Sequence, residues 1–562
     1  MILTRSGLTE QGVPALIIAL MPIAMIVISL TTRIATGSAK QEIEPLYNGI
    51  ELPPVWPPRD VALTGDPLPI PPYLADPPDV IPIDVGRQLF VDDFLIARTT
   101  LSRTFHAAQF HPASPVLRPE RSWEVEGGPT AMVFSDGVWH DPNDRLFKMW
   151  YMGGYGRSTC YATSRDGIHW EKPDLDVQPG TNIVHIGRRD SGTVWLDHEE
   201  KDPQRRYKMF LYDLSGGLAI YFSADGIHWG NAVAHTGPTG DRTTVCYNPF
   251  RQVWVYSLRE YFPPLKGVGR CRRYWEHADA LAGATWRAGE PPLWVGADRL
   301  DPRRADLNTA PELYNLDAAA YESVLLGLFS IWRGQPSDRP KPNEVCIGFS
   351  RDGFHWSRPD RRAFIPVSEN YGDWNWGNVQ SAGGCCLVVG DQLYFYVSGR
   401  AGVRGSSTSG VSSTGLAVLR RDGFASVDGG DAAGTLTTRR VRFSGRYLFV
   451  NADVDGGELR VEVLDEHGRV ISPFTRANCI AIRADATLQA MRWKGADDLS
   501  RLAGQPVNFR FRLKNGSLYS FWVSPDESGA SHGYVAAGGP GFTGPTDTVG
   551  AKAGSAGGDS PL

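Results

Sequence analysis

The chain has 562 residues, a length that exceeds one ordinary domain and allows two or three. Its 57 lysines and arginines nearly balance its 62 aspartates and glutamates, so the total charge does not indicate a nucleic-acid-binding protein. Seven scattered cysteines without a Cys-x-x-Cys spacing argue against a disulfide framework and a zinc site, and the 62 glycines, 41 prolines and 17 tryptophans are typical of a turn-rich β protein.

An apolar run from Val13 to Leu30 lies near the amino terminus. It is longer than the apolar core of a usual signal peptide and just long enough to span a bilayer. The small residues Gly37-Ser38-Ala39 suit a cleavage site. Residues 1–40 are therefore predicted to be a signal peptide or a membrane anchor. Both alternatives imply export to the periplasm, the cell surface or the medium.

A proline-rich segment follows over residues 41–84. Such a composition favours extended polyproline conformations and excludes a helix or a central strand. The segment is predicted to be a linker that either spaces the next domain or wraps its surface. Strand character begins at Leu89–Ile96.

One heptapeptide recurs along the middle of the chain. Ser164–Trp170, Ser223–Trp229 and Ser350–Trp356 all read Ser-x-Asp-Gly-x-His-Trp, and weaker copies surround Asp279 and Asp422. The mean spacing of the five aspartates is about 64 residues. Because Asp-Gly is a strong hairpin signal, this fixed period indicates a propeller or another repeat fold. Five copies predict five blades, with the tryptophans packed between blades and the histidines structural.

Each repeat has the same order of elements. A first strand, an Asp-Pro or Asn-Pro turn, an aromatic-rich second strand and a third strand precede the Asp-Gly hairpin. Four antiparallel strands are what a propeller blade requires, whereas solenoid repeats are usually shorter than ~45 residues. We therefore predict a five-bladed β-propeller over residues 85–430, in which residues 85–119 pack against the blades or close them.

The pattern changes after residue 430. Segments such as Tyr447–Ala452 and Leu459–Leu464 alternate apolar with polar residues, as strands with one solvated face do. We expect a β-sandwich over residues 431–530, which makes the whole chain all-β. The Gly-, Pro- and Ala-rich tail at 531–562 is predicted to be disordered.

A propeller with Ser-x-Asp-Gly-x-x-Trp hairpins, followed by a β-sandwich, resembles the glycoside hydrolases of families 32 and 43 and relatives such as family 117. The resemblance covers roughly residues 85–525. It implies a glycosidase acting on an oligo- or polysaccharide, with an acidic residue at the start of the innermost strand in each of the first three blades. These acids serve as nucleophile or base, as a residue that orients sugar and tunes the pKa, and as general acid. No cofactor is expected, and no motif indicates a calcium ion in the channel.

Acidic residues precede the predicted innermost strands, and crowding would raise the pKa of one of them. The alternative is that each caps a turn or pairs with an arginine. Asp190 and Asp241 are preferred, because each opens a well-aligned strand. The resemblance implies a glutamate as the acid of the third blade. This sequence has Asp241 at that position, unless Glu260 or Glu312 takes the role. The candidate catalytic residues are Glu124, Glu126, Asp190, Asp241 and Glu312.

Arginines and aromatic residues near the same strand ends are candidates for substrate binding. Arginine could clamp a carboxylate or sulfate on an anionic glycan, or bind inorganic phosphate as in a family-130 phosphorylase. A non-catalytic carbohydrate-binding propeller is the third alternative. Tests of sugar release with and without phosphate, and of binding without turnover, would separate the three. The candidates are Arg189, Trp195, Arg242, Arg259, Tyr314, Asn315, Arg333, Asp373, Trp374, Trp376, Asn378 and Gln380.

Overall fold

The computed structural model describes residues 43–263 and 268–555. The predicted signal peptide or membrane anchor, including the apolar run at 13–30, lies outside these residues. Almost every element of the described chain is a strand, which confirms the all-β prediction. Within the described ranges, no helix is long and apolar enough to cross a membrane.

The proline-rich segment packs on the sheets that follow it, which is the second of the two alternatives predicted for it. The Tyr47 ring stacks on Phe250 with 4.2 Å between centroids, and Asn48 donates to the Arg351 carbonyl at 2.9 Å. The proline-rich segment contains β1 (Glu44–Pro45), β2 (Glu51–Leu52), α1 (Pro72–Ala75) and β3 (Ile81–Pro82). The residues that follow it, up to 125, contain β4 (Gln88–Leu89), β5 (Ile96–Thr99), β6 (Ser102–Phe105), β7 (Gln109–Phe110) and α2 (Ser122–Val125).

Five antiparallel sheets occupy the middle of the chain. The first three have four consecutive strands each. They are β8 (Ala131–Asp141), β9 (Leu146–Gly153), β10 (Ser158–Ser164) and β11 (Ile183–Ile186); β12 (Gly192–Leu196), β13 (Tyr207–Tyr212), β14 (Leu218–Ser223) and β15 (Ala234–His235); and β16 (Thr244–Asn248), β17 (Val253–Phe262), β18 (Gly269–His277) and β19 (Leu293–Gly296). Short 3-10 turns lie at Pro203–Arg205 and Ala282–Ala284.

The fourth and fifth sheets begin in the same way. They contain β20 (Glu312–Glu322), β21 (Val324–Trp332) and β22 (Glu344–Ser350), then β23 (Asn378–Ser381), β24 (Leu387–Val389), β25 (Gln392–Arg400) and β26 (Ser412–Arg420). The first strands of successive sheets pack together: β8 against β12, β12 against β16, and β16 against β20. The first strand of the last sheet, β23, packs against β21 and β22 and returns to β8, so the five sheets form a ring with their first strands innermost.

The repeated heptapeptide forms a turn after the third strand of a sheet. Asp166 accepts hydrogen bonds from the backbone of Ile168 and His169, each at 2.8 Å, while the Ser164 hydroxyl accepts from Gly167 at 2.8 Å. The His169 ring lies 2.7 Å from the same carboxylate. A left-handed backbone (φ 77°) requires glycine at 167. The same contacts recur in the other two copies, so these histidines serve the turns.

Two further sheets follow and share a separate hydrophobic core. The new strands are β27 (Ala425–Gly429), β28 (Gly434–Thr438), β29 (Val441–Arg442), β30 (Tyr447–Asp453), β31 (Glu458–Leu464), β32 (Asp485–Ala490), β33 (Asn508–Lys514) and β34 (Gly516–Ser524), with a 3-10 turn at Ser500–Leu502. One sheet has the strand order β32-β30-β34-β27-β6 with β4 beside β34, and the other has the order β31-β33-β28-β5. The pair β3–β29 is parallel.

The strands β4, β5 and β6 differ from the predicted boundaries, which assign residues 85–430 to the ring. These early strands instead pair with β34, β28 and β27 and cover edges of the two later sheets. Only β7 joins the ring, where it pairs with β26 as the outer strand of the fifth sheet. Residues 85–119 therefore divide between the two regions.

The described part of the tail, residues 531–555, also differs from its prediction of disorder, because β35 (Tyr534–Val535) pairs with the end of β20. Val535 and Asp547 are fully buried, and α3 (Ala551–Ser555) follows. A side chain at Gly539 would lie 1.8 Å from the Val388 carbonyl oxygen, so glycine is needed for this close approach. The small residues that indicate disorder here permit tight packing.

A buried ionic network joins the ring, the later sheets and the tail. Arg87 lies 3.4 Å from Glu322 and 3.1 Å from Asp422, and Arg421 lies 3.2 Å from Glu322 and 3.1 Å from Asp547. All five side chains are at most 5% exposed. The described ranges also hold all seven cysteines, which are buried and free.

Candidate active site

Two innermost strands carry bulges that bring polar side chains into the ring. The register of β8 against β9 shifts between Met132 and Gly137, and that of β20 against β21 shifts between Leu313 and Asn315. Ser135 adopts a left-handed backbone with φ 64°. A left-handed backbone at a residue other than glycine lowers the stability of the fold by about 1–3 kcal/mol. Bulges and strained residues of this kind concentrate at functional sites.

Asp317 from β20 is one of two carboxylates in this region, and it is 2% exposed. Its Oδ2 atom accepts hydrogen bonds from Ser135 Oγ at 3.3 Å, Asn315 Nδ2 at 2.8 Å and the Ser381 hydroxyl. Among the described residues, its Oδ1 atom has no hydrogen-bond partner. Burial raises the pKa of Asp317, although the Ser381 hydroxyl and the nearby Arg242 oppose the shift.

Asp136 from the β8 bulge is the second carboxylate, and it is fully buried. Arg189 Nη2 donates to its Oδ1 atom at 2.7 Å, while Oδ2 has no partner within the described parts of the chain. Burial outweighs this pairing and raises the pKa of Asp136 to about 6. The charge of Arg242 opposes the rise in pKa of both Asp136 and Asp317, so the two carboxylates lie in the neighbourhood of one guanidinium group.

Arg242 lies between these strands, with a left-handed backbone (φ 60°). Its guanidinium carbon stands 3.8 Å from the centroid of the Phe134 ring, and Nη2 donates to Ser135 Oγ at 3.0 Å. Its backbone N–H donates to Ser191 Oγ at 2.8 Å. Behind it, the buried Arg272 donates to the Arg242 carbonyl at 2.8 Å.

A second group of cations surrounds Tyr314. Lys341 Nζ donates to the Tyr314 hydroxyl at 2.9 Å and stands 4.8 Å from the ring centroid. Arg400 lies 5.5 Å from the centroid of Phe134. Burial raises the pKa of Tyr314, but Lys341, Arg242 and Arg400 together outweigh burial and lower this pKa below its ordinary value.

Six of the residues predicted to bind substrate belong to this region. Gln380 Nε2 donates to Asn378 Oδ1 at 2.7 Å, and Asn378 donates to the Lys341 carbonyl at 2.8 Å. The six are Arg189, Arg242, Tyr314, Asn315, Asn378 and Gln380.

The two preferred catalytic acids lie at the starts of β12 and β16. Asp241 is 37% exposed and forms an ion pair with Arg259 at 2.7 Å. Asp190 accepts from the backbone of Ser191 at 2.8 Å and adds to the electrostatic effects that raise the pKa of Asp136. Burial and both acids raise the pKa of Tyr212, so the structure brings Asp190 and Asp241 into one neighbourhood.

The other predicted acids have structural surroundings. Glu124 is fully buried and accepts hydrogen bonds from the Tyr151 hydroxyl at 2.6 Å, from Lys172 at 2.9 Å and from the backbone at the start of α2. Glu126 is 73% exposed and lies 3.3 Å from Arg157.

Glu312 forms an ion pair with Arg270, whose guanidinium carbon lies 5.4 Å from the centroid of the Tyr314 ring. It lines a cleft of about 540 Å³ that Trp332 also borders. The pairing with arginine is the alternative role considered for these acids.

The remaining predicted residues lie elsewhere. Arg333 pairs with Glu344 at 3.1 Å. Trp195 packs between two tryptophans at ring distances of 4.7 and 6.0 Å, near the ends of the inner strands that the tail covers. Three residues lie in the loop before β23: Asp373 accepts from Ser368, Trp374 packs on Phe110, and Trp376 packs under Arg339.

Sequence reasoning missed Asp136, Asp317, Lys341 and Arg400. It searched the starts of innermost strands, whereas both buried carboxylates lie within a strand. A signal was present, because Ser135-Asp136-Gly137 and Asn315-Leu316-Asp317 interrupt apolar strands with polar residues. In the described part of the chain, no group of three or more His, Cys, Asp or Glu side chains could hold a metal ion.

No family model matches the chain. A curated relative, sucrose-6-phosphate hydrolase of Escherichia coli, is 30% identical over 93 residues, which span 16% of this chain and 18% of the relative.

The solved structures that match the chain are more distant from it in sequence. An N-acetylgalactosamine deacetylase from F. plautii, in complex with blood group B trisaccharide, is 13% identical and covers 57% of this chain and 95% of its own, with a TM-score of 0.36. The match with a thermostable family-43 glycoside hydrolase covers 55% of this chain and 96% of that protein, at 11% identity and a TM-score of 0.36. A family-43 arabinoxylan arabinofuranohydrolase from Bacillus subtilis covers 75% and 99% at 10% identity and a TM-score of 0.32. The proteins found therefore include the kinds that the sequence resembles.

Proposed function

We propose that the protein is an exported glycoside hydrolase, built from a five-bladed propeller and a β-sandwich, that cleaves its substrate inside the ring. The observation that carries the proposal is the pair of buried carboxylates near Arg242: Asp136 lies within the bulge of β8, and Asp317 lies two residues past the bulge of β20. Glycosidic cleavage needs one protonated and one ionised carboxyl group beside the scissile bond. The names of the similar proteins agree with this class and with an oligo- or polysaccharide substrate.

Asp136 is assigned as the proton donor. Burial raises its pKa to about 6, and Oδ2, which has no partner in the described structure, is available to carry the proton. Its other oxygen is fixed by Arg189, which orients the carboxyl group. A general acid with a pKa near the working pH transfers its proton most efficiently.

Asp317 is assigned as the ionised partner. Burial raises the pKa of Asp317, but three donors converge on its Oδ2 atom, and hydrogen bonds to a carboxylate favour the charged form. Asp317 then either attacks the anomeric carbon or activates a water molecule. NMR analysis of the first-formed anomer separates the retaining from the inverting route.

Neutralising each carboxylate tests the assignment. A panel of neutral, acidic and sulfated polysaccharides is first screened for release of reducing sugar. On the best substrate, Asp136→Asn and Asp317→Asn are expected to lower turnover ~10²-fold or more. Asp241→Asn is the matched control and is expected to keep most activity, because Asp241 is 37% exposed and pairs with Arg259.

Two results would reject the assignment. Full activity in Asp317→Asn with the fold intact would remove Asp317 from catalysis, and a large loss in Asp241→Asn would favour the acids at the strand starts. Glycan binding without turnover on any substrate would favour a binding protein. Export through residues 1–40 is tested separately by cell fractionation, and full-length protein free in the cytoplasm would contradict it.

A further inference from the structure

We infer that Arg242, Lys341 and Arg400 form a subsite for an anionic group on the substrate. This inference rests on the proposed glycosidase function and names the class of sugar that the ring accepts.

The three cations converge on two neighbouring aromatic rings. Arg242 and Arg400 lie 3.8 and 5.5 Å from the Phe134 centroid, and Lys341 lies 4.8 Å from that of Tyr314. Arg242 also approaches the Tyr314 ring at 5.9 Å. All three therefore lie in one cluster near Asp317, whose carboxylate shares the Ser135 hydroxyl with Arg242.

Arg242 and Arg400 lack the direct ion pairs that several other buried arginines of this protein have. Arg351 pairs with Asp92 at 2.9 Å, and both Arg358 and Arg421 also pair with carboxylates. In the residues that the structure describes, neither Arg242 nor Arg400 forms an ion pair with a carboxylate within 4.0 Å, although they are only 1% and 5% exposed.

Hydrogen-bonding capacity is also unused. Both Nε and Nη1 of Arg242, and Nε of Arg400, are buried without a partner among the described residues. Burying a charge without a direct partner is costly, so an anionic group on the substrate is expected to supply the counter-charge for Arg242 and Arg400. Arg272, directly behind Arg242, adds further positive charge.

The donor chemistry defines the ligand class. A guanidinium group binds carboxylate, sulfate or phosphate oxygens through two parallel hydrogen bonds, and a lysine ammonium group adds a point charge. The expected substrate carries a carboxylate or a sulfate on the sugar held beside Asp317. Free phosphate presents the same oxygens and would make the reaction a phosphorolysis.

Titration calorimetry with sulfate, glucuronate and glucose tests the subsite without requiring turnover. We expect sulfate and glucuronate to bind, and Lys341→Met and Arg400→Gln each to weaken that binding about tenfold or more. Arg404→Gln, which removes an exposed arginine stacked on Tyr371, is the matched control and should bind as the native protein does. Lys341 is partly exposed, so its variant remains informative if Arg400→Gln misfolds.

The outcomes separate this inference from the proposed function. Anion binding that the two variants lose, without turnover of any glycan, supports the subsite and contradicts the hydrolase. Cleavage of glycans with no anion binding, or with binding equal in all variants, overturns the subsite alone. Cleavage assays with and without phosphate identify the source of the anion: a phosphate requirement assigns phosphate, and preference for acidic or sulfated glycans assigns the sugar.

Discussion

Asp136 and Glu124 are both fully buried carboxylates next to the first sheet, and their partners differ. Glu124 has donors on both oxygens, including a lysine ammonium, whereas Asp136 has one arginine and an oxygen without a partner in the described residues. A fully bonded carboxylate stabilises the fold, while one with an unsatisfied oxygen retains the capacity to exchange a proton.

The activity is predicted to decline above pH about 6. Burial raises the pKa of Asp136 to about 6, and the proposed reaction needs its protonated form. The value of kcat/KM should fall about tenfold per pH unit above that pKa. A pH–rate profile between pH 4 and 9 measures this, and kcat/KM that is flat or rising between pH 6 and 8 would exclude Asp136 as the acid.

Glu124→Gln should lower stability and leave catalysis intact. The change removes the charge that Lys172 pairs with in a buried site, which costs about 3–5 kcal/mol. Denaturant unfolding measures the loss, and turnover per folded molecule should match the native protein. Glu126→Gln, at a 73% exposed position, is the control and should change stability by less than about 0.5 kcal/mol. A large fall in turnover with unchanged stability would return Glu124 to the catalytic candidates.

At the scale of single elements, the sequence predicts strands that pair with their neighbours in the sequence. It does not predict short strands whose pairing partners lie far away in the sequence. The heptapeptide spacing and the alternating pattern depend on nearby residues. In contrast, β7 and β35 are two-residue strands whose partners lie hundreds of residues away, so local sequence carries no signal for them. The two buried carboxylates do leave a local signal, polar residues within apolar strands, but the bulge that contains Asp136 depends on the facing strand and not on its own residues alone.

Adding a methyl group at Gly539 should loosen the tail. The new Cβ of Gly539→Ala would overlap the Val388 carbonyl oxygen, and overpacking of this kind costs about 1–3 kcal/mol. Hydrogen exchange should increase in the tail around β35, which covers the ends of the inner strands. Gly544→Ala is the matched control, because no described atom lies within 4 Å of its Cβ position. Equal exchange in both variants would show that the tail does not depend on this contact.

At the scale of the whole molecule, two hydrophobic cores are joined by the buried ionic network around Glu322 and Asp422. Arg421 connects this network to Asp547 in the tail. The network's charges come from distant parts of the sequence, so losing any one leaves a buried charge without its partner.

Asp547→Asn should therefore destabilise the ring and the later sheets together. The change leaves the Arg421 charge undercompensated, and removing one member of a buried pair costs about 3–5 kcal/mol. Scanning calorimetry should show one transition at a lower temperature, while Asp431→Asn at an exposed position should leave it unchanged. Two separate transitions in the native protein would show that the two regions unfold independently.

The pairing of the early strands β5 and β6 with late strands affects how the protein folds during its synthesis. Thr99 in β5 donates a hydrogen bond to the Thr435 carbonyl, 336 residues later in the chain. Strand β5 therefore cannot pair until most of the chain has been synthesised. At the 5–20 residues per second of translation, the delay is roughly 15–70 s. During that time β5, β6 and β7 expose unpaired strand edges, which are prone to aggregation. The nascent chain is thus expected to depend on chaperones until its last sheets have emerged.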